Sequence, residues 1–205
     1  GFLGNRLGST ANLASAERSF MAVIDMSGYV ADLKDHAAEH GFHIHDERHF
    51  LETYSLRQAW EVDLHPEEAC GGPLDLHLTL ESDPRTMLAL EDVLLAGAEG
   101  DLPPDEFWAP LTFTWGLPPL DNEPDLLVLA TELAGFGGQV LPVEVSAIDS
   151  FPSVTDPAQR TLTIIARIDL SLRGLMSGDD GMCAVLDRCN EICRHLLKLA
   201  ADWYN

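Results

Sequence analysis

The chain has 205 residues, 46% of them apolar, and its 34 acidic residues outnumber its 12 lysines and arginines, which gives a formal net charge of -22. A surface this acidic repels the phosphates of nucleic acids and of anionic lipids, so the composition argues against both as partners. The length and apolar content suffice for one sizeable hydrophobic core without disulfides or a structural metal.

The negative charge is concentrated in the middle of the chain. Residues 61–160 contain 20 acidic and two basic residues, and no lysine or arginine lies between Arg85 and Arg160, where 13 carboxylates occur. This concentration predicts an acidic surface that attracts a basic protein partner or cations. The simpler alternative is that the excess acidic residues only keep the protein soluble.

The N-terminal segment and the cysteines bear on location. Residues 1–20 are rich in small and polar residues, so we expect an N-terminal extension there and a single domain over residues 21–205. The extension lacks the basic start and apolar run of a signal peptide, and no stretch is apolar enough to span a membrane. The four cysteines show no CxxC spacing, which favours reduced thiols in the cytoplasm.

The first regular elements are predicted to be two helices. Helical spacing of apolar residues predicts a helix over about 27–40 that ends at Gly41. A shorter second helix is predicted near 46–56. It would bury three apolar side chains: Phe50, Leu51 and Tyr54.

The period of the pattern then changes from 3.6 to 2. Apolar and polar residues alternate over 60–65 and again over 74–81, which predicts two half-buried strands. The intervening segment PEEACGGP is typical of a turn. We therefore expect an antiparallel hairpin.

The rest of the chain mixes helices and strands. Helices are predicted over about 83–96, 124–134 and 182–204, and strands over about 111–115, 140–148 and 160–173. Five alternating strands with interspersed helices indicate an α+β fold. The expected architecture is a mainly antiparallel five-stranded sheet with helices packed on one face, a two-layer sandwich.

A repeated Asp-x-His pattern on the two hairpin strands predicts a metal site. Alternation places all four side chains on one face: Asp63, His65, Asp75 and His77. If the paired residue numbers sum to about 140, these groups meet across roughly 5 Å. Imidazole and carboxylate ligands together suit one divalent transition metal. Two solvated imidazole–carboxylate pairs are the alternative, and the hairpin register decides between them.

A second candidate metal site lies on the first predicted helix. His36 and His40 are four residues apart, so both imidazoles can approach one ion. The pair lacks the glutamate that follows the first histidine of helical metalloproteases, because that position is Ala37. A solvated helix end is the alternative. Since seven histidines lie between positions 36 and 77, a pH-responsive surface is a third interpretation.

These patterns leave two hypotheses for function. The sequence contains no Walker loop, GxSxG elbow or GxGxxG motif, which favours an acidic cytoplasmic protein-binding or adaptor domain without a cofactor, of a chaperone-like kind. Its expected partner is a protein of basic character, and a homo-oligomer is a further option. The alternative is a metal-dependent enzyme of the hydrolase type, in which the hairpin Asp/His group holds one divalent transition metal and activates water.

Overall fold

The computed structural model describes residues 24–98 and 100–204, and the predicted N-terminal extension lies outside them. The strands are β1 (Phe42–Leu51), β2 (Gln58–Pro66), β3 (Asp75–Ser82), β4 (Trp108–Gly116), β5 (Val143–Ser150) and β6 (Gln159–Ser171). The helices are α1 (Met26–Glu39), α2 (Pro84–Ala96), α3 (Leu126–Gly137), α4 (Leu172–Ser177) and α5 (Met182–Trp203). A 3₁₀ turn, Glu67–Ala69, follows β2.

The strands form one sheet in the order β1-β2-β3-β4-β6-β5, in which every neighbouring pair is antiparallel. The predicted α+β fold with an antiparallel sheet is therefore confirmed. The predicted number of strands is wrong, because the sheet formed by the described residues has six strands rather than five. The additional strand is β1, which forms one edge of the sheet, and β5 forms the other.

The prediction of a helix near 46–56 is wrong. Strand β1 occupies the first half of that segment, and the turn to β2 follows. A β-bulge at His45 separates the pairs Ile44–Leu64 and Asp46–Asp63. One extra residue shifts the alternation of β1 by one position, so the sequence of this strand shows no continuous period of 2. The side chains expected in the core are instead 48%, 59% and 98% exposed: Phe50, Leu51 and Tyr54.

One face of the sheet and the last helix contribute to the same hydrophobic core. In β3, Leu76, Leu78 and Leu80 are buried, whereas the alternate residues His77 and Thr79 are partly exposed. Helix α5 contacts β2 and α3, and its buried side chains belong to the same core cluster. Because successive strand residues point to opposite faces, the polar side chains of β2 and β3 lie on the face away from this core. Within the described residues, no helix combines the length and apolarity needed to cross a membrane.

Candidate metal centre

The β2–β3 hairpin has the register on which the predicted Asp/His site depended. Asp63 pairs with His77 and Leu64 with Leu76, so paired residue numbers sum to 140. Nδ1 of His77 lies 2.6 Å from Oδ1 of Asp63. The same oxygen accepts a hydrogen bond from Nη2 of Arg48 at 2.8 Å. Asp63 is therefore already satisfied by an imidazole and a guanidinium.

Arg48 places a permanent positive charge where a metal at Asp63 would have to bind. Its guanidinium lies 3.1 Å from Asp46 and 3.4 Å from Glu61, in addition to its contact with Asp63. A cation at Oδ1 of Asp63 would have to compete with this guanidinium. The arrangement corresponds to an ion-pair network on the polar face of the sheet.

The four ligands predicted from the hairpin repeat do not converge on one point. Asp63 and His77 come together, but the ring of His65 contacts His45 and Cys70 instead. Asp75 is exposed at the start of β3 and acts on His65 through its negative charge. Of these four hairpin residues, His65 alone belongs to one of the groups of three metal-ligating side chains found among the described residues.

That group, here called the sheet cluster, consists of His43, His65 and Cys70. His43 and His65 are a cross-strand pair of β1 and β2, and Cys70 follows the 3₁₀ turn after β2. Sγ of Cys70 lies 3.1 Å from Nε2 of His65 and 3.6 Å from Nδ1 of His43. One potential ligand atom from each residue lies within 4.8 Å of the other two.

These separations suit the edges of a coordination tetrahedron. With metal bonds of about 2.0–2.1 Å to imidazole nitrogen and about 2.3 Å to thiolate sulfur, neighbouring ligand atoms lie about 3.4–3.6 Å apart. The two nitrogen–sulfur distances, 3.1 and 3.6 Å, are close to this range. The third edge, between the two imidazole nitrogens, lies within 4.8 Å.

His45 lies beside the sheet cluster because it is the extra residue of the bulge in β1. Its Nε2 lies 2.9 Å from Nδ1 and 3.1 Å from Nε2 of His65, and its ring centroid lies 4.7 Å from that of His43. Bulges re-aim side chains in this way. Three imidazoles and one thiol therefore share one end of the polar face.

His65 is the buried member of the sheet cluster, at 6% exposure, whereas His43 and Cys70 are exposed. Burial lowers the pKa of His65, and the charges of His45 and His43 lower it further, while Asp75 opposes the shift. A lowered pKa keeps the imidazole neutral, which is the protonation state that binds metals.

The structure also brings together His36, in the last turn of α1, and His40, the C-cap residue of that helix, and adds Cys183 from α5. The two imidazole rings are stacked with centroids 5.0 Å apart, and Nε2 of His36 lies 3.1 Å from Sγ of Cys183. One potential ligand atom from each of the three residues lies within 4.8 Å of the other two. This set is called the helix cluster below. Nδ1 of His40 also lies 2.8 Å from Oδ1 of Asp187.

Sequence reasoning missed His43, Cys70 and Cys183 as candidate ligands. One signal was available, because a loop that joins two hairpin strands must stay close to their ends, and Cys70 lies in that loop. Cys183 has no local signal, since it lies 147 residues from His36 along the chain.

No protein-family model, curated protein or solved structure matches the chain. The interpretation therefore depends on the chemistry of these side chains.

Proposed function

We propose that this protein binds a divalent transition metal ion of the zinc class through the sheet cluster, His43, His65 and Cys70. The observation that carries the proposal is the convergence of two imidazoles and a thiol, from β1, β2 and the loop after β2, within 4.8 Å. Imidazole nitrogen and thiolate sulfur are preferred ligands of zinc.

The electrostatics of the cluster support an ion over a set of simple hydrogen bonds. Protonated imidazoles at these separations repel one another, so packing His43 and His45 against His65 is unfavourable at acidic pH. A bound cation reverses this balance, because it requires neutral imidazoles and a deprotonated thiol. Hydrogen bonds between neutral side chains contribute only about 0.5–1.5 kcal/mol each to stability.

The number of protein ligands suggests a reaction class. Catalytic zinc sites have three protein ligands and keep a fourth position for water, whose pKa the metal lowers to about 7. The sheet cluster supplies three ligands, two of which are exposed to solvent, so hydrolysis by a metal-bound water is the chemistry that it supports best. This proposal retains the metal-dependent hydrolase hypothesis with a different set of ligands.

A substrate can reach the sheet cluster in the arrangement of layers that we infer. Residues of α5 and of the apolar sheet face belong to one core cluster, which supports a two-layer sandwich of helices and sheet. In that arrangement the polar face remains open. His43 and Cys70 are exposed, in agreement with an open centre.

Calorimetric titration of Zn²⁺ into reduced, untagged, chelator-treated protein tests the proposal. We expect His65→Ala and Cys70→Ser each to abolish one equivalent of binding or to weaken it at least tenfold, because loss of even an outer-shell partner of a metal ligand costs about 10–100-fold in affinity. His49→Ala is the matched control, because His49 lies on β1, the strand that also carries His43, but stacks on Trp60 outside the cluster. Binding that is identical in wild type, His65→Ala and Cys70→Ser would refute the proposal.

A second candidate function is protein binding by the turn between β1 and β2. The observation that favours it is a group of apolar side chains that are each at least 48% exposed: Phe50, Leu51, Tyr54 and Leu56. Contiguous exposed apolar side chains mark interaction sites on soluble proteins. The acidic middle of the chain would favour a basic protein partner in the cytoplasm, and a second copy of the chain is the alternative occupant.

Site-specific photocrosslinking tests this second candidate. A photoreactive residue at Tyr54 should give a defined adduct in cells, whereas the same residue at the exposed Asp92 of α2 should not. The electrostatic part of the binding should weaken as ionic strength rises, because salt screens exposed charges. Adducts that are equal at the two positions would exclude the turn as the binding surface.

A further inference from the structure

A second set of metal-ligating side chains lies between the first and last helices. His36 in the last turn of α1 and His40 at its C-cap lie on one side of the helix end, because residues four apart along a helix are neighbours. Cys183, in the first turn of α5, brings its Sγ to 3.1 Å from Nε2 of His36. This helix cluster shares no residue with the sheet cluster.

Asp187 fixes the orientation of one of these imidazoles. Its carboxylate accepts from Nδ1 of His40 at 2.8 Å, a contact that favours the tautomer with the proton on Nδ1. Nε2 of His40 is then the nitrogen with a lone pair available for a metal. Metal-binding histidines commonly donate their other ring nitrogen to a carboxylate in this way.

We propose that the helix cluster binds a second divalent transition metal ion of the zinc class and fastens α1 to α5. The ligand set again contains two imidazoles and a thiol, each with a ligand atom within 4.8 Å of the others. It joins segments 147 residues apart, so the ion closes a long loop of the chain. Metal binding across such a loop favours the folded state, because the unfolded chain does not present the site.

The role of this second ion differs from that of the ion at the sheet cluster. His36 and His40 are partly buried beside α5, and the hydrogen bond from Tyr29 of α1 to Asp180, just before α5, already holds the same segments together. An ion here reinforces an existing helix contact. We therefore assign the second site to stability, and its loss should leave binding at the sheet cluster intact.

Metal stoichiometry in matched variants tests the assignment. Co²⁺ serves as the probe because thiolate–cobalt bonds give a charge-transfer absorption. In reduced, untagged protein, Cys70→Ser should retain one equivalent of thiolate-bound cobalt, and Cys70→Ser/Cys183→Ser should retain none. If the sheet cluster binds no metal but the helix cluster does, wild type and Cys70→Ser will give the same single equivalent. Cobalt absorption that Cys183→Ser leaves unchanged would overturn the second site alone.

Thermal unfolding gives an independent readout. In the Cys70→Ser background, Zn²⁺ should raise the melting temperature, and His36→Ala or His40→Gln should each abolish the rise. Glu39→Gln is the control, since Glu39 lies on the same helix outside the cluster and its substitution should leave the rise unchanged. Circular dichroism without metal checks that each variant folds. A rise that persists in both folded histidine variants would overturn the proposal.

Discussion

Oδ1 of Asp63 lies 2.6 Å from Nδ1 of His77, directly across the β2–β3 hairpin. Because Arg48 occupies the same carboxylate oxygen, we predict that His77 takes no part in metal binding. His77→Ala should leave Zn²⁺ affinity unchanged and lower the free energy of unfolding by less than about 1 kcal/mol, the usual limit for a partly exposed pair. Calorimetry and urea unfolding measure the two effects. Loss of zinc affinity equal to that in Cys70→Ser would restore the Asp/His site predicted from sequence.

The same hairpin shows which features local sequence could predict. Alternation with period 2 and the repeated Asp-x-His pattern were enough to anticipate the Asp63–His77 contact. The start of α2 could also be predicted from local sequence. Asp83 accepts a hydrogen bond from the backbone nitrogen of Arg85 at 2.8 Å, and Pro84 occupies the first helical position. Both features involve residues whose geometry is fixed by near neighbours or by one tight turn.

The metal-ligating clusters depended on information that no local pattern contains. The bulge at His45 interrupts the alternation of β1, which hid the strand that carries His43. Cys70 reaches His65 only through the path of the loop after the 3₁₀ turn. Cys183 meets His36 only because α5 packs near α1 in the folded chain. Tertiary packing, rather than periodicity, assembled these groups.

The hydrogen bond from Tyr29 to Asp180 should stabilise the junction of α1 with the segment before α5. The phenol donates to Oδ2 of Asp180 at 3.0 Å and is partly buried. Tyr29→Phe should lower the free energy of unfolding by about 1–2 kcal/mol, because hydrogen bonds to charged groups contribute about 1.5–3 kcal/mol. Urea unfolding of Tyr29→Phe, Asp180→Asn and the double variant measures the coupling. Fully additive effects would contradict a direct bond.

The same phenol predicts a loss of stability at alkaline pH. Burial raises the pKa of Tyr29, and the charge and hydrogen bond of Asp180 raise it further. Above about pH 10 the unfolded chain releases this proton while the folded protein retains it, so stability falls as pH rises. The difference in unfolding free energy between wild type and Tyr29→Phe should shrink between pH 9 and 11. A constant difference over that range would show that the phenol ionises equally in both states.

Replacing either of two helical glycines by alanine should change the stability of the protein, in opposite directions at the two positions. A Cβ at Gly174 would lie 2.8 Å from the backbone oxygen of Asp179, whereas a Cβ at Gly135 would have no neighbour within 4 Å. Gly174→Ala should therefore cost about 1–3 kcal/mol through overpacking. Gly135→Ala, on an exposed position of α3, should stabilise the protein by roughly 0.5–1 kcal/mol, because alanine loses less backbone entropy. Thermal unfolding compares the two, and equal effects would contradict the steric argument.

The four thiols should divide into two reactive and two protected groups. Cys70 and Cys183 are exposed, one in each metal-ligating cluster, while Cys189 and Cys193 are buried. Burial raises the pKa of Cys189, as does its contact with Cys193, so this thiol stays protonated and unreactive at neutral pH. A thiol reagent should label two cysteines in the native protein and four after denaturation.

Zinc should protect both exposed thiols, because a coordinated thiolate is no longer free to react. Peptide mapping of the labelled protein identifies which cysteine is protected. Protection of Cys70 alone would support metal binding by the sheet cluster and oppose it at the helix cluster. Protection of Cys183 alone would support the helix cluster and oppose the sheet cluster. Zinc-independent labelling of both would count against both sites, since neither thiol would then be a ligand.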